Sequence, residues 1–176
     1  MPIFQIDTIS PSLDPSVFLA YNATVIGRVT IGKKSSVWFN TVIRGDIDAI
    51  TIGDESNIQD LTMIHADTGK PTIIGNKVTI GHRCVIHGCV IEDNSLIGMG
   101  AIVMNGAQIG TGSIVAAGAV IMEDVIIPPY SLVAGIPGRV KRTFEENVVD
   151  MIHFASQVYV DRSRDYMNPV KCIQIG

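Results

Sequence analysis

The sequence predicts an all-β solenoid of hexapeptide repeats followed by a C-terminal α-helix, and three observations carry that prediction. An aliphatic residue recurs every six positions over 74–133, at 74, 80 and 86 and then at 91, 97, 103, 109, 115, 121, 127 and 133. A small side chain stands two positions earlier in most units, as at Thr72, Cys84, Cys89, Ser95, Ala101, Ala107, Ser113, Ala119 and Ser131. Glycine often follows the aliphatic residue, as Gly75, Gly81, Gly98 and Gly110. One large and one small inward column per six residues describe a short strand and a corner. Such a unit buries its apolar residue only when coils stack on one another.

The repeat begins well before residue 74. Leu13, Leu19, Val25, Ile31, Val37 and Ile43 keep the same spacing, with Val17, Ala23, Val29, Ser35 and Thr41 as their small column. Ile52, Ile58 and Ile64 continue it. Twenty such positions at about three per coil give nearly seven coils. Three irregularities interrupt the count. Three residues are added around 45–49, four are added in the turn-rich loop 66–72, and one is lost between Ile86 and Ile91. The segment Gly135-Ile136-Pro137-Gly138 ends the repeat. Thr143 with Glu146 three residues on has the form of a capping box, so a helix is expected over 143–166, with Val148, Ile152, Ala155 and Tyr159 on one stripe lying along the solenoid. The expected organisation is one domain over 1–176, with the solenoid at 11–138. The tail from Asn168 has no assignment.

Composition agrees with a narrow interior. The chain has 176 residues, 47% hydrophobic but only 6% aromatic, which suits Ile, Val, Ala and Ser ladders rather than a ring-filled core. The net charge of −4 and the lack of a basic run argue against nucleic acid. No run reaches the roughly 18 apolar residues of a membrane span, and no secretory signal precedes the repeat, so a cytoplasmic protein is expected. Three cysteines at uneven spacing make no disulfide framework. Cys84 and Cys89 occupy the small inward column and read as core thiols. His153 reads as a helix-surface residue, and outward-facing Trp38 as part of a subunit interface.

All three irregularities fall within 43–91, and so do three of the four histidines. A break in a regular scaffold is where function is expected. Because strand residues alternate in and out, the residue after each inward aliphatic points outward. His65 follows Ile64 and His87 follows Ile86, one coil plus the four-residue insertion apart. Arg44 follows Ile43, one coil plus the three-residue insertion before His65. Arg44, His65 and His87 therefore form one outward column, extended by Ile26, Met104 and Met122, and its apolar ends suit a subunit contact. His82 follows Gly81 one corner away, with Asp60 in the matching place one coil earlier and Gln59 beside it. A lone histidine is commonly structural; two stacked histidines with a third around the corner suggest a metal. The three do not readily converge within one chain. In a threefold trimer, His65 and His87 of one subunit would face His82 of the next.

The motifs Ile43-Arg44-Gly45-Asp46, Asn57-Ile58-Gln59-Asp60, Ile64-His65-Ala66-Asp67, Gly81-His82 and His87-Gly88 resemble the γ-class carbonic anhydrase family over nearly the whole chain. The resemblance implies a left-handed parallel β-helix with a C-terminal α-helix, assembled as a homotrimer. It implies His65, His82 and His87 as ligands of Zn2+, with Fe2+ or Co2+ as substitutes and His82 supplied by the adjacent subunit. It further implies that Gln59 hydrogen-bonds metal-bound solvent or substrate, that Arg44 pairs with an interfacial carboxylate, that Asp60 supports the site, and that Tyr159 reaches toward the metal. The reaction implied is hydration of carbon dioxide to bicarbonate. Three histidines with one open position is the catalytic form of zinc ligation. Two glutamates of that family's proton-transfer route are missing: Ile47 stands in the place of one, and the loop after His65 carries only Asp67. A metal-binding member with little or no anhydrase activity is therefore one alternative. An acetyl-CoA-dependent hexapeptide acyltransferase is the other, since fold does not separate them.

Overall fold

The computed structural model describes residues 2–173. It is a left-handed β-helix of about seven coils carrying one C-terminal helix. The strands lie in a twelve-stranded and an eight-stranded sheet. The larger sheet wraps a corner, because strand Val42–Ile52 pairs with Met63–His65 at its start and with Thr72–Ile74 at its end, all parallel. The coil therefore has three faces. The inward aliphatic ladder runs as the spacing requires: Val25, Val37, Ile43, Ile58, Ile64, Ile80, Ile86, Ile91, Ile97 and Val103 are all fully buried. Each such side chain contributes about 1.5–3 kcal/mol by leaving water.

The small column has a second role. Its hydroxyls donate to corner carbonyls one coil on: Ser35 to Gly53 at 2.7 Å, Ser56 to Gly75 at 2.8 Å, Ser95 to Gly110 at 3.3 Å and Ser113 to Pro128 at 3.1 Å. These bonds satisfy polar groups that burial would otherwise strand. Cys84 does the same with its thiol, 3.2 Å from the Gly98 carbonyl. Cys84 and Cys89 are both buried, and burial pushes their thiols up to about 11 and about 12, so they are neutral core groups as expected. Cys172 is exposed.

The inserted residues leave the ladder intact. Chain added at 45–49 and 66–72 is accommodated at corners, so Arg44 still pairs with His65 and His65 with His87 across neighbouring strands. Gly45 is required there: a Cβ would lie 2.6 Å from the Arg28 carbonyl oxygen of the adjacent coil.

The C-terminal part differs from the sequence expectation. Thr143 caps no helix. It ends strand Arg139–Thr143, which turns back after 135–138 and pairs antiparallel with Ser131–Ala134. The helix is Val148–Met167, entered from Asn147 without a side-chain cap. The capping-box spacing was met by chance, because pairing to the last coil satisfies this backbone better than a helix start would. The helix does lie along the solenoid, against strands Phe18–Leu19, Ser36–Val37, Asn57–Ile58 and Thr79–Ile80. Its buried stripe is Val148, Ile152, Ser156, Val160 and Ser163, with Ala155 and Tyr159 at the margin. The two serines let the helix approach closely, and each turns its hydroxyl back to its own helix, to His153 and Val160. His153 is partly buried at the helix edge.

Trp38 also departs from expectation. It points outward yet is only 4% exposed, because this chain's own helix covers it. Phe18, Tyr159 and Tyr166 surround it with ring centroids at 5.0, 5.3 and 5.0 Å. Of the tail beyond Asn168, residues 174–176 lie outside the described residues. No helix among the described residues is long and apolar enough to cross a membrane.

Candidate metal centre

The two expected groups of site residues lie on two different faces. His65 and His87 stand side by side on the face that carries the start of Val42–Ile52 and the strands Met63–His65 and Val85–His87. Their rings meet edge-on, with centroids 5.0 Å apart and His65 Nδ1 facing His87 Nε2 at 3.0 Å. Strand pairing in register brings them together, as the residue count required.

Asp46, two residues after Arg44 on the same strand and therefore on the same face, accepts a hydrogen bond from the Arg44 guanidinium. Its other oxygen lies 2.9 Å from His65 Nε2. Burial pushes the Asp46 carboxyl up, but the hydrogen bonds from His65 and Arg44 together outweigh it and hold the carboxyl below its usual range. Arg44 thus finds its carboxylate within its own chain. On the far side, His87 Nδ1 lies 2.6 Å from Asn105 Oδ1.

These contacts assign the protons. An ionised carboxylate only accepts, so His65 carries its hydrogen on Nε2. Asn105 points its amide nitrogen at Asp67, 3.3 Å away, which turns its carbonyl oxygen to His87, so His87 carries its hydrogen on Nδ1. The two nitrogens that face one another are then both bare lone pairs at 3.0 Å. Two lone pairs so placed repel unless a proton or a metal cation joins them. Two nitrogens bound to one tetrahedral zinc stand about 3.3 Å apart, so the pair has the chemistry and nearly the separation of metal ligands.

The second group sits around the corner. His82 lies in the turn between strands Thr79–Ile80 and Val85–His87, and Arg83 at φ 60° makes that turn. Gly81 lets the coils close there, since a Cβ would lie 2.7 Å from the Met99 nitrogen. Asp60 is the neighbour of His82 one coil earlier, and its Oδ2 lies 2.8 Å from His82 Nδ1. That contact places the proton on Nδ1 and leaves Nε2 free on a ring 40% exposed. Gln59 is buried beside this corner and donates to Asn57 at 3.0 Å. Tyr159 lines a groove of about 330 Å³ with Phe39, Asp60 and Arg162. Burial first, and the Asp60 charge second, raise its phenol pKa.

Within one chain, then, His65, His87, Arg44 and Asp46 come together, and separately His82, Asp60, Gln59 and Tyr159. Among the described residues no group of three or more His, Cys, Asp or Glu side chains is placed to hold a metal. Asn105 and the roles of Asp46 and Asp67 were not assigned from the sequence. The lost residue between Ile86 and Ile91 brings Asn105 abreast of Gly88, and that register was the available signal.

Comparison with known proteins adds four findings. A family model described as bacterial transferase hexapeptide (six repeats) matches residues 71–103 and 88–122. A probable carbonic anhydrase of Methanocaldococcus jannaschii is 56% identical over 151 residues, covering 86% of this chain and 95% of that protein. The mitochondrial gamma carbonic anhydrase 2 of Arabidopsis thaliana is 39% identical over 158 residues, covering 86% of this chain and 57% of the longer plant protein. Among solved structures, a hexapeptide transferase family protein from Anaplasma phagocytophilum superposes with a TM-score of 0.90 at 39% identity, covering 94% of this chain and 98% of that one. Identity of this order along nearly the full solenoid, over coils that stack two histidines on one face and a third at the next corner, makes the chain a member of the γ-class carbonic anhydrase family.

Proposed function

We propose that the protein hydrates carbon dioxide to bicarbonate at zinc sites shared between the subunits of a homotrimer. The observation that carries this reading is the division of the site: two bare imidazole nitrogens on one face, a third on a ring at the neighbouring corner, and no means of joining them within one chain. His65 and His87 of one subunit with His82 of the next would complete a three-histidine set with an open fourth position. Ferrous or cobaltous ion suits the same donors. Bound there, zinc would supply Lewis acidity and a source of hydroxide at neutral pH.

The chain's own residues prepare the site. Asp46, braced by Arg44, fixes the His65 ring; Asp60 fixes His82; Asn105 fixes His87. Each partner accepts a hydrogen bond from one ring N–H and so keeps that proton off the ligating nitrogen. The exposed and half-exposed apolar residues Met63, Val85, Ile102, Met104 and Met122 border the histidine pair and suit a contact that excludes water. Gln59 and Tyr159, on the His82 side, would be carried to the site by the adjacent subunit.

Proton export is the weak element. Ile47 is half exposed where a carboxylate would serve as a relay, and Asp67 is already engaged by Asn105 and the Thr68 amide. Slow turnover follows, or a metal-binding protein with little turnover. The transferase names attached to the matching family model and to the Anaplasma structure favour group transfer as a second reading, for which the acetyl-CoA-dependent acyltransferase is the candidate raised by the sequence. Metal analysis with a carbon dioxide hydration assay on zinc- or iron-reconstituted protein separates these. One metal per subunit with hydration above the uncatalysed rate supports the proposal; a metal-free trimer that binds acetyl-CoA overturns it.

A further inference from the structure

The loop at 66–72 does more than interrupt the repeat. Its backbone closes on itself through Asp67 and Lys70, paired in both directions at 3.2 and 2.8 Å. Lys70 then runs along the solenoid over two glycines. A Cβ on Gly88 would lie 3.1 Å from Lys70 Cβ, and one on Gly106 would lie 2.7 Å from Lys70 Nζ. At the end of this track Lys70 Nζ meets Asp124 at 2.9 Å, two coils beyond His87. The other insertion holds the loop from behind, where Asp48 accepts from the Gly69 amide at 3.0 Å. The loop is therefore tied at both ends, and the group it presents is the Asp67 carboxylate.

One Asp67 oxygen accepts from the Thr68 amide at 2.8 Å, and the other from Asn105 Nδ2 at 3.3 Å. The Asn105 oxygen then faces His87 Nδ1. Gly88, at φ 55°, leaves the gap that this side chain crosses: a Cβ there would lie 2.2 Å from Asn105 Oδ1. A free carboxamide can turn either end to an imidazole. Asp67 removes that choice, because a carboxylate accepts and so draws the NH2 end to itself.

We propose that Asn105 is a positioning residue for the metal, steered by Asp67, which holds His87 as its Nδ1–H tautomer and turns Nε2 toward His65. The inserted loop is then the part of the fold that sets this ligand, and the Lys70–Asp124 contact is its clasp. The inference rests on the metal reading of the histidine pair, but its tautomer half does not need a metal.

The test uses three proteins: wild type, Asn105→Ala, and the exchange variant Asp67→Asn/Asn105→Asp. In the exchange variant the amide and carboxylate swap ends, and an acceptor still faces His87. Histidine labelled with 15N reports which His87 nitrogen carries the hydrogen, in metal-free and zinc-loaded protein. Competition with a chromophoric chelator reports zinc affinity, and native mass and circular dichroism report assembly and fold. Expected for Asn105→Ala is loss of the Nδ1–H preference and about a tenfold to hundredfold loss of zinc affinity, with assembly unchanged. Expected for the exchange variant is the wild-type nitrogen pattern and zinc affinity within about threefold of wild type. Wild-type tautomer and affinity in Asn105→Ala would overturn the proposal. So would an exchange variant as impaired as Asn105→Ala, including when Asn105→Ala itself does not fold. A wild-type protein that takes up no zinc would refute the shared-metal reading instead, and the nitrogen assignment in metal-free protein would still decide the role of Asn105.

Discussion

Separate inactivation of the two half-sites should be reversible by mixing. His65→Ala removes a ligand from one face, and His82→Ala removes the ligand at the corner. The structure keeps these groups apart within one chain, so neither variant alone can assemble three histidines. In a closed ring of three subunits, each interface takes His65 and His87 from one neighbour and His82 from the other. Any mixed ring has one junction where a His82→Ala subunit presents the pair and a His65→Ala subunit presents the corner. That junction is intact, and the other two each lack at least one ligand. Every mixed ring should therefore regain about one site in three, since catalytic zinc needs all three protein ligands. Equal amounts refolded together give mixed rings in about three quarters of the population, so total zinc should reach about a quarter of the wild-type value. The assay is zinc per subunit after joint unfolding and refolding, with ring composition read by native mass. Zinc no higher than in the separately refolded variants, with mixed rings present, would refute the shared site.

Other expectations follow from the packing. Trp38→Ala should cost about 3–5 kcal/mol in denaturant unfolding, because it empties the space among Phe18, Tyr159 and Tyr166, yet it should leave the trimer intact; dissociation at unchanged stability would return Trp38 to the subunit interface. Cys84→Ser/Cys89→Ala should keep its zinc, and in the native wild type a thiol reagent at mildly basic pH should modify Cys172 alone, since the other two are buried and neutral; zinc loss in the double variant would make them more than core groups. Gly88→Ala should lose about 1–2 kcal/mol to its left-handed backbone, and should weaken zinc binding as well by displacing Asn105; equal zinc affinity would separate Gly88 from the site.

The ladder was legible because its cause is local. Six-residue spacing, a small residue two places earlier and strand alternation are properties of short stretches, and they suffice to place Ile43, Ile64 and Ile86 inside and Arg44, His65 and His87 outside, as the fold has them. His82 and Asp60 were legible for the same reason, as equal positions on neighbouring coils. What failed depends on distant chain. Trp38 resembles an interface residue until the helix more than a hundred residues later is folded over it. Thr143 has a helix-start pattern, but its backbone bonds to the last coil, and no local motif records that competition. Asn105 escaped notice because its role needs the loop at 66–72 to lie against it, and loop conformation is not periodic.

A stack of parallel coils has no internal reason to stop, since the last rung offers the same row of donors and acceptors that the previous one filled. Left open, such an end would template a second molecule and, by repetition, a fibre. Strand Arg139–Thr143 closes one of the three faces of that rung by running in the opposite direction, so a further coil approaching there in the parallel sense meets the wrong hydrogen-bond pattern. Arg139, Lys141 and Arg142 on that exposed strand add a charge that repels its own copy. The strand that follows the end of the repeat thus guards one open edge against self-templating, and removing 139–143 should give an oligomer whose size grows with concentration.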